Sequence, residues 1–425
     1  MRLKCIQFFT FILLGLPYTY SFGAGSAIYS TVKEQEIKNN QYKSIQYEKE
    51  VKNNHVIHIL TIDPAHYHFE LVKARNQVFG RETVKAIALR KNAIAAINGG
   101  FFEIGGTVDG YPSGTLIIDQ KIFALKKTLS ALLAWNGKDF YIGQTAILSK
   151  LIQGENNLTL DKVNQSVSST DKVVLYTDVW GPTSLTPHAR QEFLFDATGN
   201  LIAKTCHGDN PIPRGGWILS VPKTSSVAEF MTVGKKVKLE LEFKKIKGQE
   251  NPDWHIYKNF IMGIPLLVSN GKPVPGLEHS GIKSFVLMPH ARTAFGIRQD
   301  GKIVMVVAEH HYNQSLNQLT LEEAQKLLQV KGHSRSAIEK MSLAEARAIL
   351  SKQLSRASCV GLNLLELAKL MISLGCKSAI NLDGGGSSTL FLNGRIVNTT
   401  IGDEDESKGQ QIIRPVSDAI VVVKS

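Results

Sequence analysis

Alternating apolar and polar positions begin at residue 55 and predict β-strands. Residues 55–62 and 68–73 alternate on either side of Asp63-Pro64, which is the pattern of two half-buried strands joined by a turn. Residues 93–97 are continuously apolar instead, so we expect a short, fully buried strand there. The chain therefore begins its ordered part as a β-rich structure.

Dipeptides that favour tight hairpin turns recur through the middle of the chain. Each lies between apolar or alternating runs, where the two residues of a hairpin loop adopt left-handed backbone conformations. The clearest is Asp300-Gly301, which strand-like residues precede and a Val/Ile/Met-rich run, residues 302–308, follows. The four predicted hairpin turns are Asn136-Gly137, Asn270-Gly271, Asp300-Gly301 and Asn393-Gly394.

Helical periodicity is concentrated towards the carboxyl terminus. Residues 320–330, 342–354 and 361–374 each predict a helix, and Ser342 with Glu345 forms a capping-box pattern at the start of the second. The third helix leads into residues 378–382, a short apolar strand.

Many strands with a few clustered helices predict the α+β class rather than a doubly wound sheet. We expect one large mixed-sheet domain over residues 54–425, with several hairpins and a cluster of C-terminal helices. Residues 312–360 are expected to be a helical insertion in this domain. Residues 24–53 are polar and rich in Lys and Glu, so we expect a linker there.

The composition excludes several classes of protein. The chain has 425 residues, 43% of them hydrophobic and 20% charged, so it is globular rather than disordered or collagen-like. The mean hydropathy of −0.06 argues against a polytopic membrane protein. Lys and Arg number 49 against 37 Asp and Glu, a net charge of +12. These basic residues are scattered, which counts against nucleic-acid binding, although the charge suits association with an anionic envelope surface.

Residues 1–23 have the pattern of a secretory signal peptide. Arg2 and Lys4 precede an apolar run of about a dozen residues, too short to span a bilayer of about 30 Å. Small residues follow this run. We therefore expect a secreted or periplasmic protein and not an integral membrane protein.

Three cysteines follow the predicted signal peptide. Cys359 and Cys376 flank the helix predicted over residues 361–374, which would hold them beyond disulfide reach. Three buried thiols is our favoured interpretation, and a disulfide from Cys206 to one of the others is the alternative. We find no Cys/His spacing typical of zinc and no nucleotide-binding glycine motif, so we expect neither a metal nor a cofactor.

The strongest chemical motif is a glycine run at the end of a predicted strand. Asn381 and Asp383 precede Gly384-Gly385-Gly386, and Ser387 and Ser388 follow it. Three consecutive glycines carry a backbone entropy cost but let a ligand approach the main chain closely. Their successive N–H groups can bind an anion, so we expect a ligand-binding loop rather than a plain turn.

Two further segments have the same character. Residues 93–97 run into Asn98-Gly99-Gly100, a second polar strand exit with paired glycines, although a simple packing turn was an equal alternative. Arg292 begins the strand before Asp300-Gly301, and its planar guanidinium suits a phosphate. Asp178 lies beside Trp180, which either stacks on a sugar or belongs to the core.

These segments occur in the order of the motifs of the phosphodiester glycosidase family, which the chain resembles over roughly residues 51–424. The family includes N-acetylglucosamine-1-phosphodiester α-N-acetylglucosaminidase and bacterial proteins linked to exopolysaccharide. The last block is the most specific. The matching motifs are Asn98-Gly99-Gly100-Phe101-Phe102, Tyr111-Pro112-Ser113-Gly114, Tyr176-Thr177-Asp178-Val179-Trp180-Gly181, Gly263-Ile264-Pro265-Leu266-Leu267, Arg292-Thr293-Ala294-Phe295-Gly296 and Asn381-Leu382-Asp383-Gly384-Gly385-Gly386-Ser387-Ser388.

The resemblance implies hydrolysis of a sugar-1-phosphodiester in a glycan or glycoconjugate, with GlcNAc-1-phosphodiester as the model substrate. Asp383 is the first catalytic candidate, as nucleophile or base. Glu309 is the second, where the family often has Asp followed by Gly and this chain has Glu309-His310-His311. The expected substrate-binding residues are Asn98, Gly99, Gly100, Ser113, Asp178, Arg292, Thr293, Asn381, Gly384, Gly385, Gly386, Ser387 and Ser388.

Two alternatives belong to other classes of function. The chain could be a non-catalytic glycan- or phosphate-binding envelope protein on the same fold, and the departure at Glu309 favours that alternative. A polyanion-binding protein is the other alternative, which would need basic residues grouped on one face and a steep salt dependence.

Overall fold

The computed structural model describes residues 44–52, 55–167, 173–227, 231, 233–247, 250–279, 283–310, 320–330, 333–354, 361–405 and 410–424. The predicted signal peptide and Cys359 lie outside these residues.

Strands make up most of the regular structure. Those of the first half of the chain are β1 (Ile45–Lys52), β2 (His55–Ile62), β3 (Tyr67–Lys73), β4 (Ala95–Asn98), β5 (Leu116–Ile118), β6 (Lys121–Ala124), β7 (Ser130–Asn136), β8 (Asp139–Thr145), β9 (Ile147–Gln153), β10 (Asn156–Thr159), β11 (Lys162–Val163), β12 (Val174–Thr177), β13 (Arg190–Phe195) and β14 (Leu201–Thr205). Those of the second half are β15 (Trp217–Pro222), β16 (Lys238–Phe243), β17 (Asn259–Gly263), β18 (Leu266–Ser269), β19 (Lys272–Pro273), β20 (Arg292–Arg298), β21 (Ile303–Ala308), β22 (Cys376–Asn381), β23 (Leu390–Leu392), β24 (Arg395–Ile396), β25 (Asp403–Asp405), β26 (Gln410–Ile412) and β27 (Asp418–Lys424).

Helices are fewer and mostly late in the chain. They are α1 (Val84–Arg90), α2 (Lys283–Leu287), α3 (Leu321–Val330), α4 (Arg335–Ile338), α5 (Leu343–Leu354) and α6 (Leu364–Ser373). Because strands in several sheets dominate and helices are few, the α+β prediction is confirmed.

Two sheets carry the part of the fold that matters for the site. The seven-stranded sheet has the order β1-β2-β21-β20-β22-β18-β19, and the terminal sheet has the order β24-β23-β4-β27-β3. The other sheets are β6-β5-β17-β7-β8, β11-β12-β15-β13-β14, β10-β9-β16 and β25-β26. Among the described strands the recorded pairs are antiparallel, except the parallel pair of β11 and β12.

All four predicted hairpin turns join paired antiparallel strands, β7–β8, β18–β19, β20–β21 and β23–β24. Asn393 and Gly394 show why these dipeptides favour a tight hairpin turn. Both have positive φ, 49° and 86°, as a tight hairpin turn with the right twist requires. Local turn chemistry therefore sets the strand register at these points.

The predicted linker is wrong at its carboxyl end. Ile45–Lys52 is strand β1, which pairs along its length with β2 and forms one edge of the seven-stranded sheet. The segment is polar because only one of its faces meets the core. Ile45 and Tyr47 pack on buried residues, while Gln46 and Glu48 on the opposite face are exposed. Charged residues on an edge strand are a common defence against edge-to-edge aggregation.

The main apolar core lies between the seven-stranded sheet, the terminal sheet and the sheet that contains β7. Phe295, Ile97 and Leu133 represent the three sheets in this cluster. The opposite face of the seven-stranded sheet is covered by α6, whose Leu364, Leu367, Ala368 and Met371 are buried. Asn363 and Glu366 form the capping box that starts α6. This helix fixes the direction of β22, the strand that runs into the glycine loop.

Helices α3, α4 and α5 fall within the predicted insertion, residues 312–360. Ala324, Leu328, Ile338, Ala346 and Leu350 form a small apolar cluster of these helices alone. Ser342 and Glu345 bond reciprocally at the start of α5, as the capping-box pattern predicts.

Two smaller predictions can also be compared with the structure. Cys206 is exposed and Cys376 is buried, and both are free thiols, so the prediction of a buried thiol is wrong for Cys206. None of the described helices combines the length and the apolar character needed to cross a membrane.

Trp135 joins two of the sheets around the main core. Its ring is buried in β7, and its Nε1–H donates to the carbonyl of Phe69 in β3 at 3.1 Å. The same ring stacks on Phe140.

We expect Trp135→Phe to lower the free energy of unfolding by about 1–3 kcal/mol, because it removes a buried hydrogen bond between sheets and some packed volume. Urea unfolding followed by circular dichroism measures this. Trp217→Phe is the matched control, since Trp217 stacks on Phe195 within one sheet and should cost less. An equal loss for both variants would contradict the role given to the Trp135 hydrogen bond.

Candidate active site

Strand ends from two sheets meet at the candidate site. In the seven-stranded sheet, Arg292 pairs with Ala308 and Ala294 pairs with Asn381. The chain therefore leaves β21 and β22 at the end of the sheet where β20 begins. Glu309 and Asp383 follow at that end. With neighbouring strands about 4.8 Å apart, β21 and β22 on either side of β20 place the two carboxylate residues on the order of 10 Å apart.

The side chain of Asn98, at the end of β4, joins both sheets. Its Oδ1 accepts from the hydroxyl of Thr293 at 2.8 Å and from the backbone N–H of Thr389 at 3.1 Å. Its Nδ2 donates to the carbonyl of Asp383 at 2.8 Å. Asn98 is fully buried, so every one of these bonds avoids the cost of an unpaired polar group. The amide orients the glycine loop at both of its ends.

The glycine loop, residues 383–389, does not form the predicted row of free N–H groups. The N–H of Gly384 donates to the Asp383 carboxylate at 2.9 Å, and the N–H of Gly385 donates to the carbonyl of Ala291 at 2.8 Å. Residues Gly385–Ser387 turn as a short 3₁₀ helix, in which Ser387 and Ser388 donate backward. The prediction of a Gly384–Gly386 anion nest is therefore wrong for the first two glycines.

Asp383 is a half-buried carboxyl with an unusual pKa. Burial raises its pKa to about 6, and the nearby charge of Asp418 adds to this rise. The nearby Ser387 hydroxyl, the hydrogen bond from the Gly384 N–H and the charge of Arg414 act in the opposite direction. The residue as a whole keeps partial exposure to solvent. A partly exposed acidic residue whose pKa is raised towards neutrality is typical of catalytic groups.

Asp418 is a second carboxyl that the sequence analysis missed. It begins β27 and is buried, and its Oδ1 accepts from the N–H of Gly100 at 2.9 Å. Burial raises its pKa, while the Gly100 N–H and the charge of Lys73 oppose the rise. Burial likewise lowers the pKa of Lys73 to about 8. The available signal was a carboxylate opening an otherwise apolar strand.

Asp418 explains the first glycine of the pair that follows β4. A Cβ on Gly99 would lie 2.0 Å from Asp418 Oδ1 and 2.9 Å from Ile261 Cδ1. The backbone of Gly99 also bridges the two carboxyl residues, because its N–H donates to the Asp418 carbonyl and its carbonyl accepts from the Asp383 N–H. Only glycine allows this close approach.

Arg414 is the second residue that the sequence analysis missed. Its guanidinium lies against the glycine loop, since a Cβ on Gly386 would lie 2.5 Å from its Cζ and 2.6 Å from its Nη2. Arg414 is half-buried. A guanidinium at this position brings positive charge to the loop that carries Asp383. Neither hairpin nor strand patterning marks an arginine in an irregular segment.

Arg292 has a different position from the one predicted. It is 2% exposed, its Nε donates to the Leu362 carbonyl at 3.0 Å, and its Nη2 donates to the carbonyls of Phe285 and Met288. Burial lowers its pKa to about 10. The guanidinium therefore braces the segments beside the site, and the predicted phosphate contact is replaced by backbone contacts.

Glu309 is also buried rather than open to a substrate. Its Oε1 lies 2.7 Å from Nε2 of His58 and 2.6 Å from the N–H of Thr399. The carboxylate is thus occupied by protein groups at the end of β21.

The remaining predicted residues divide between the site and its surroundings. Thr293 and Ser388 bond to each other inside the site at 3.2 Å, and the Asn381 amide donates to the Ile264 carbonyl. Ser113 adjoins the site through its N–H, which donates to Phe101. Asp178 is exposed in a loop of the sheet β11-β12-β15-β13-β14. Trp180 beside it belongs to the core.

The candidate site does not coincide with the cavity found beside β16. A cavity of about 340 Å³ lies elsewhere, on the segment that follows β16, and none of the candidate residues lines it. Within the described residues no group of three His, Cys, Asp or Glu side chains is arranged to hold a metal ion. Side-chain chemistry and strand convergence identify the site.

Comparison with known proteins places the chain in a family. The model of the phosphodiester glycosidase family matches residues 195–339 and 348–423. An uncharacterized protein of Rickettsia conorii is 36% identical over 294 residues, which is 68% of this chain and 99% of that protein. The chain belongs to the phosphodiester glycosidase family. The matched residues include Asp383, Arg414 and Asp418.

Two solved structures share the fold at 19% sequence identity. A hypothetical protein from Synechocystis superposes with a TM-score of 0.66, covering 91% of this chain. This chain spans only 63% of the length of that protein. A candidate exported protein of Burkholderia pseudomallei superposes with a TM-score of 0.59. The superposed region covers 89% of this chain and 74% of the Burkholderia protein.

We expect Gly99→Ala to destabilise the protein by about 1–3 kcal/mol, because the new methyl group collides with Asp418 and Ile261 in a packed core. Gly100→Ala is the control, since the nearest atom to its Cβ would be the Met262 carbonyl oxygen at 3.3 Å. Urea denaturation of the two variants measures the difference. A Gly99→Ala protein as stable as the wild type would show that the close approach of Asp418 is not a constraint.

Proposed function

We propose that the protein hydrolyses the bond between a sugar and phosphate in a sugar-1-phosphodiester. The observation that carries the proposal is Asp383, a half-buried residue whose carboxyl has a pKa of about 6, on a glycine loop against which the Arg414 guanidinium packs. The substrate needs both groups. A phosphodiester carries a negative charge, and its glycosidic bond breaks at a carbon that is attacked by a carboxylate or by a water molecule that a carboxylate deprotonates.

The phosphate would lie against Arg414 and the loop backbone. A guanidinium binds a phosphodiester through paired charge-assisted hydrogen bonds. The N–H groups of Gly384 and Gly385 are occupied, so Arg414 supplies the main positive charge in this arrangement. Asn98 and Thr293 orient the loop from beneath and do not need to touch the substrate.

Asp383 would act in its ionised form. Its carboxylate either attacks the anomeric carbon, forming a glycosyl ester that water then hydrolyses, or takes a proton from the attacking water. The carbon–oxygen bond to phosphate breaks and its electrons leave with the phosphate. A phosphomonoester is a weak base, so the leaving group does not require a strong general acid. One reactive carboxyl is then sufficient, which accords with the buried position of Glu309. The products are the free sugar and a phosphomonoester.

We also propose that the protein acts outside the cytoplasm. Residues 1–23 have signal-peptide character, and a protein of similar fold is a candidate exported protein. A glycan or glycoconjugate phosphodiester in the envelope is the substrate class we propose. The alternative, a non-catalytic glycan- or phosphate-binding protein, shares the anion contact and lacks the hydrolysis.

The pKa of Asp383 sets the expected pH dependence of the reaction. We expect release of reducing sugar from a GlcNAc-1-phosphodiester, with kcat/KM falling about tenfold per pH unit below pH 6, because protonation removes the reactive carboxylate. Asp383→Asn should abolish this release. Asp119→Asn, in the exposed turn between β5 and β6, is the matched control and should keep full activity. Activity that rises below pH 6 would assign Asp383 the opposite role.

The stability of Asp383→Asn shows whether this variant is inactive because it lacks the reactive carboxylate or because it does not fold. Because the folded-state pKa of Asp383 is raised, the stability that its protonated form confers is present below about pH 4 and is lost as pH rises through about 6. The ionised carboxyl therefore costs up to about 3 kcal/mol at neutral pH. The Asn variant should unfold at the same or higher urea concentration than the wild type at pH 7.5.

A further prediction concerns Arg414. We expect Arg414→Met to raise KM about 10- to 100-fold, because a charge-assisted hydrogen bond contributes about 1.5–3 kcal/mol. Steady-state kinetics on the same substrate measure this. Arg214→Met removes an equal charge from an exposed position and should leave KM unchanged. An unchanged KM in Arg414→Met would remove Arg414 from the phosphate site.

A further inference from the structure

The carboxylate of Glu309 lies in a buried chain of hydrogen bonds that reaches from a sheet edge to the glycine loop. Glu309 is 4% exposed and His58 is fully buried. Glu309 Oε1 lies 2.7 Å from His58 Nε2, and Tyr47 Oη lies 2.8 Å from His58 Nδ1. A carboxylate accepts only, so Nε2 carries the proton that is donated to Glu309, and a neutral His58 then accepts from the Tyr47 hydroxyl at Nδ1.

The direction of these bonds argues against Tyr47 as a reactive group. Burial raises the pKa of the Tyr47 hydroxyl, and the nearby charge of Glu309 raises it further. Tyr47 therefore keeps its proton and serves as a donor. Its position on β1 also ties the edge strand to the buried pair of His58 and Glu309.

From Glu309 the chain continues to the far side of the glycine loop. Glu309 Oε1 accepts from the Thr399 N–H at 2.6 Å, which fixes the backbone beside Asn398. The Asn398 side chain is buried and forms hydrogen bonds to the backbone at the end of the glycine loop. Its Nδ2 donates to the Ser388 carbonyl at 3.0 Å, and its Oδ1 accepts from the Leu390 N–H at 2.7 Å.

Three further hydrogen bonds connect Ser388 to Asp383. The Ser388 hydroxyl bonds to Thr293 Oγ1 at 3.2 Å, and Thr293 donates to Asn98 Oδ1 at 2.8 Å. Asn98 Nδ2 holds the Asp383 carbonyl. Buried polar chains of this kind are rigid because each broken bond leaves a buried group unpaired.

We infer that Glu309 is a positioning residue that holds the glycine loop, and with it Asp383, through Thr399 and Asn398. This inference rests on the proposed function for its effect on catalysis, whereas its effect on the loop is independent of any activity. Glu309 does not touch the reacting atoms in this arrangement. It acts through the length of its side chain, which spans His58 and Thr399, and through the acceptor oxygen rather than through its charge.

Substitutions at Glu309 separate this role from a catalytic one. Glu309→Gln retains an acceptor oxygen at the same reach, so kcat should remain within about threefold of the wild type. Glu309→Asp retains the charge but is one methylene too short, and Glu309→Ala retains neither. Both should lower kcat about 10- to 100-fold, since small misplacements of a reactive group cost that much. A catalytic carboxylate would give the reverse order, with Asp more active than Gln.

Hydrogen exchange tests the loop without reference to activity. The amides of Thr389, Leu390 and Thr399 should exchange at least tenfold faster in Glu309→Asp and Glu309→Ala than in the wild type, and at wild-type rates in Glu309→Gln. Glu192→Ala is the matched control. Glu192 is a buried carboxylate in another sheet, where it accepts from Ser184 and Thr186 at 2.7 and 2.6 Å. Its loss should leave those three amides unchanged.

The sugar-release assay and the hydrogen-exchange measurement test the two proposals independently. A wild-type protein that releases no sugar from any phosphodiester, with the expected exchange pattern, would reject the proposed function and keep the positioning role. Wild-type exchange at all three amides in Glu309→Asp overturns the positioning role. Glu309→Gln as inactive as Glu309→Ala overturns it as well, because only a chemical role needs the charge.

Discussion

The buried side-chain amide of Asn98 is the interaction on which the candidate site depends. It joins the end of β4 in the terminal sheet to Thr293 in the seven-stranded sheet and to both ends of the glycine loop. A primary amide offers acceptor and donor groups at fixed angles, and here it satisfies three partners at once. Because the amide is inaccessible to water, its removal would leave all three partner groups without this hydrogen bond in the interior. The two sheets are therefore held in one relative position where the chemistry lies.

This arrangement concentrates charge in a place that proteins normally keep apolar. Burial disfavours the ionised forms of Asp383, Asp418 and Lys73, and the charge of Asp418 raises the pKa of both Asp383 and Lys73. Glycine at position 99 makes room for the Asp418 carboxylate. The fold bears a stability cost for the ionised Asp383 at neutral pH, and the large apolar core on both faces of the seven-stranded sheet offsets it. Strain and unfavourable burial of this kind are common at reactive centres.

Much of the architecture is predictable because its signals are local. An Asn-Gly pair needs a hairpin turn wherever it occurs between strands, and a capping box starts a helix with few other contacts. The same logic fails for β1, where Glu and Lys on an edge strand have the composition of a linker. Asn98 and Asp383 can be singled out from the sequence, because a polar residue next to glycines at a strand end is unusual. Asp418 carries a weaker signal of the same kind.

The amino-acid sequence by itself determined the strand and hairpin pattern, the α+β class and the glycine loop with its Asp383, since each follows from the spacing of neighbouring residues. Only the tertiary structure decided which charged groups face the site. Arg292 and Glu309 are buried against backbone and His58, whereas Arg414, from an irregular segment near the carboxyl terminus, lies on the loop. Burial and charge neighbours depend on residues distant in the chain, so one arginine is buried against backbone carbonyls and another lies on the glycine loop.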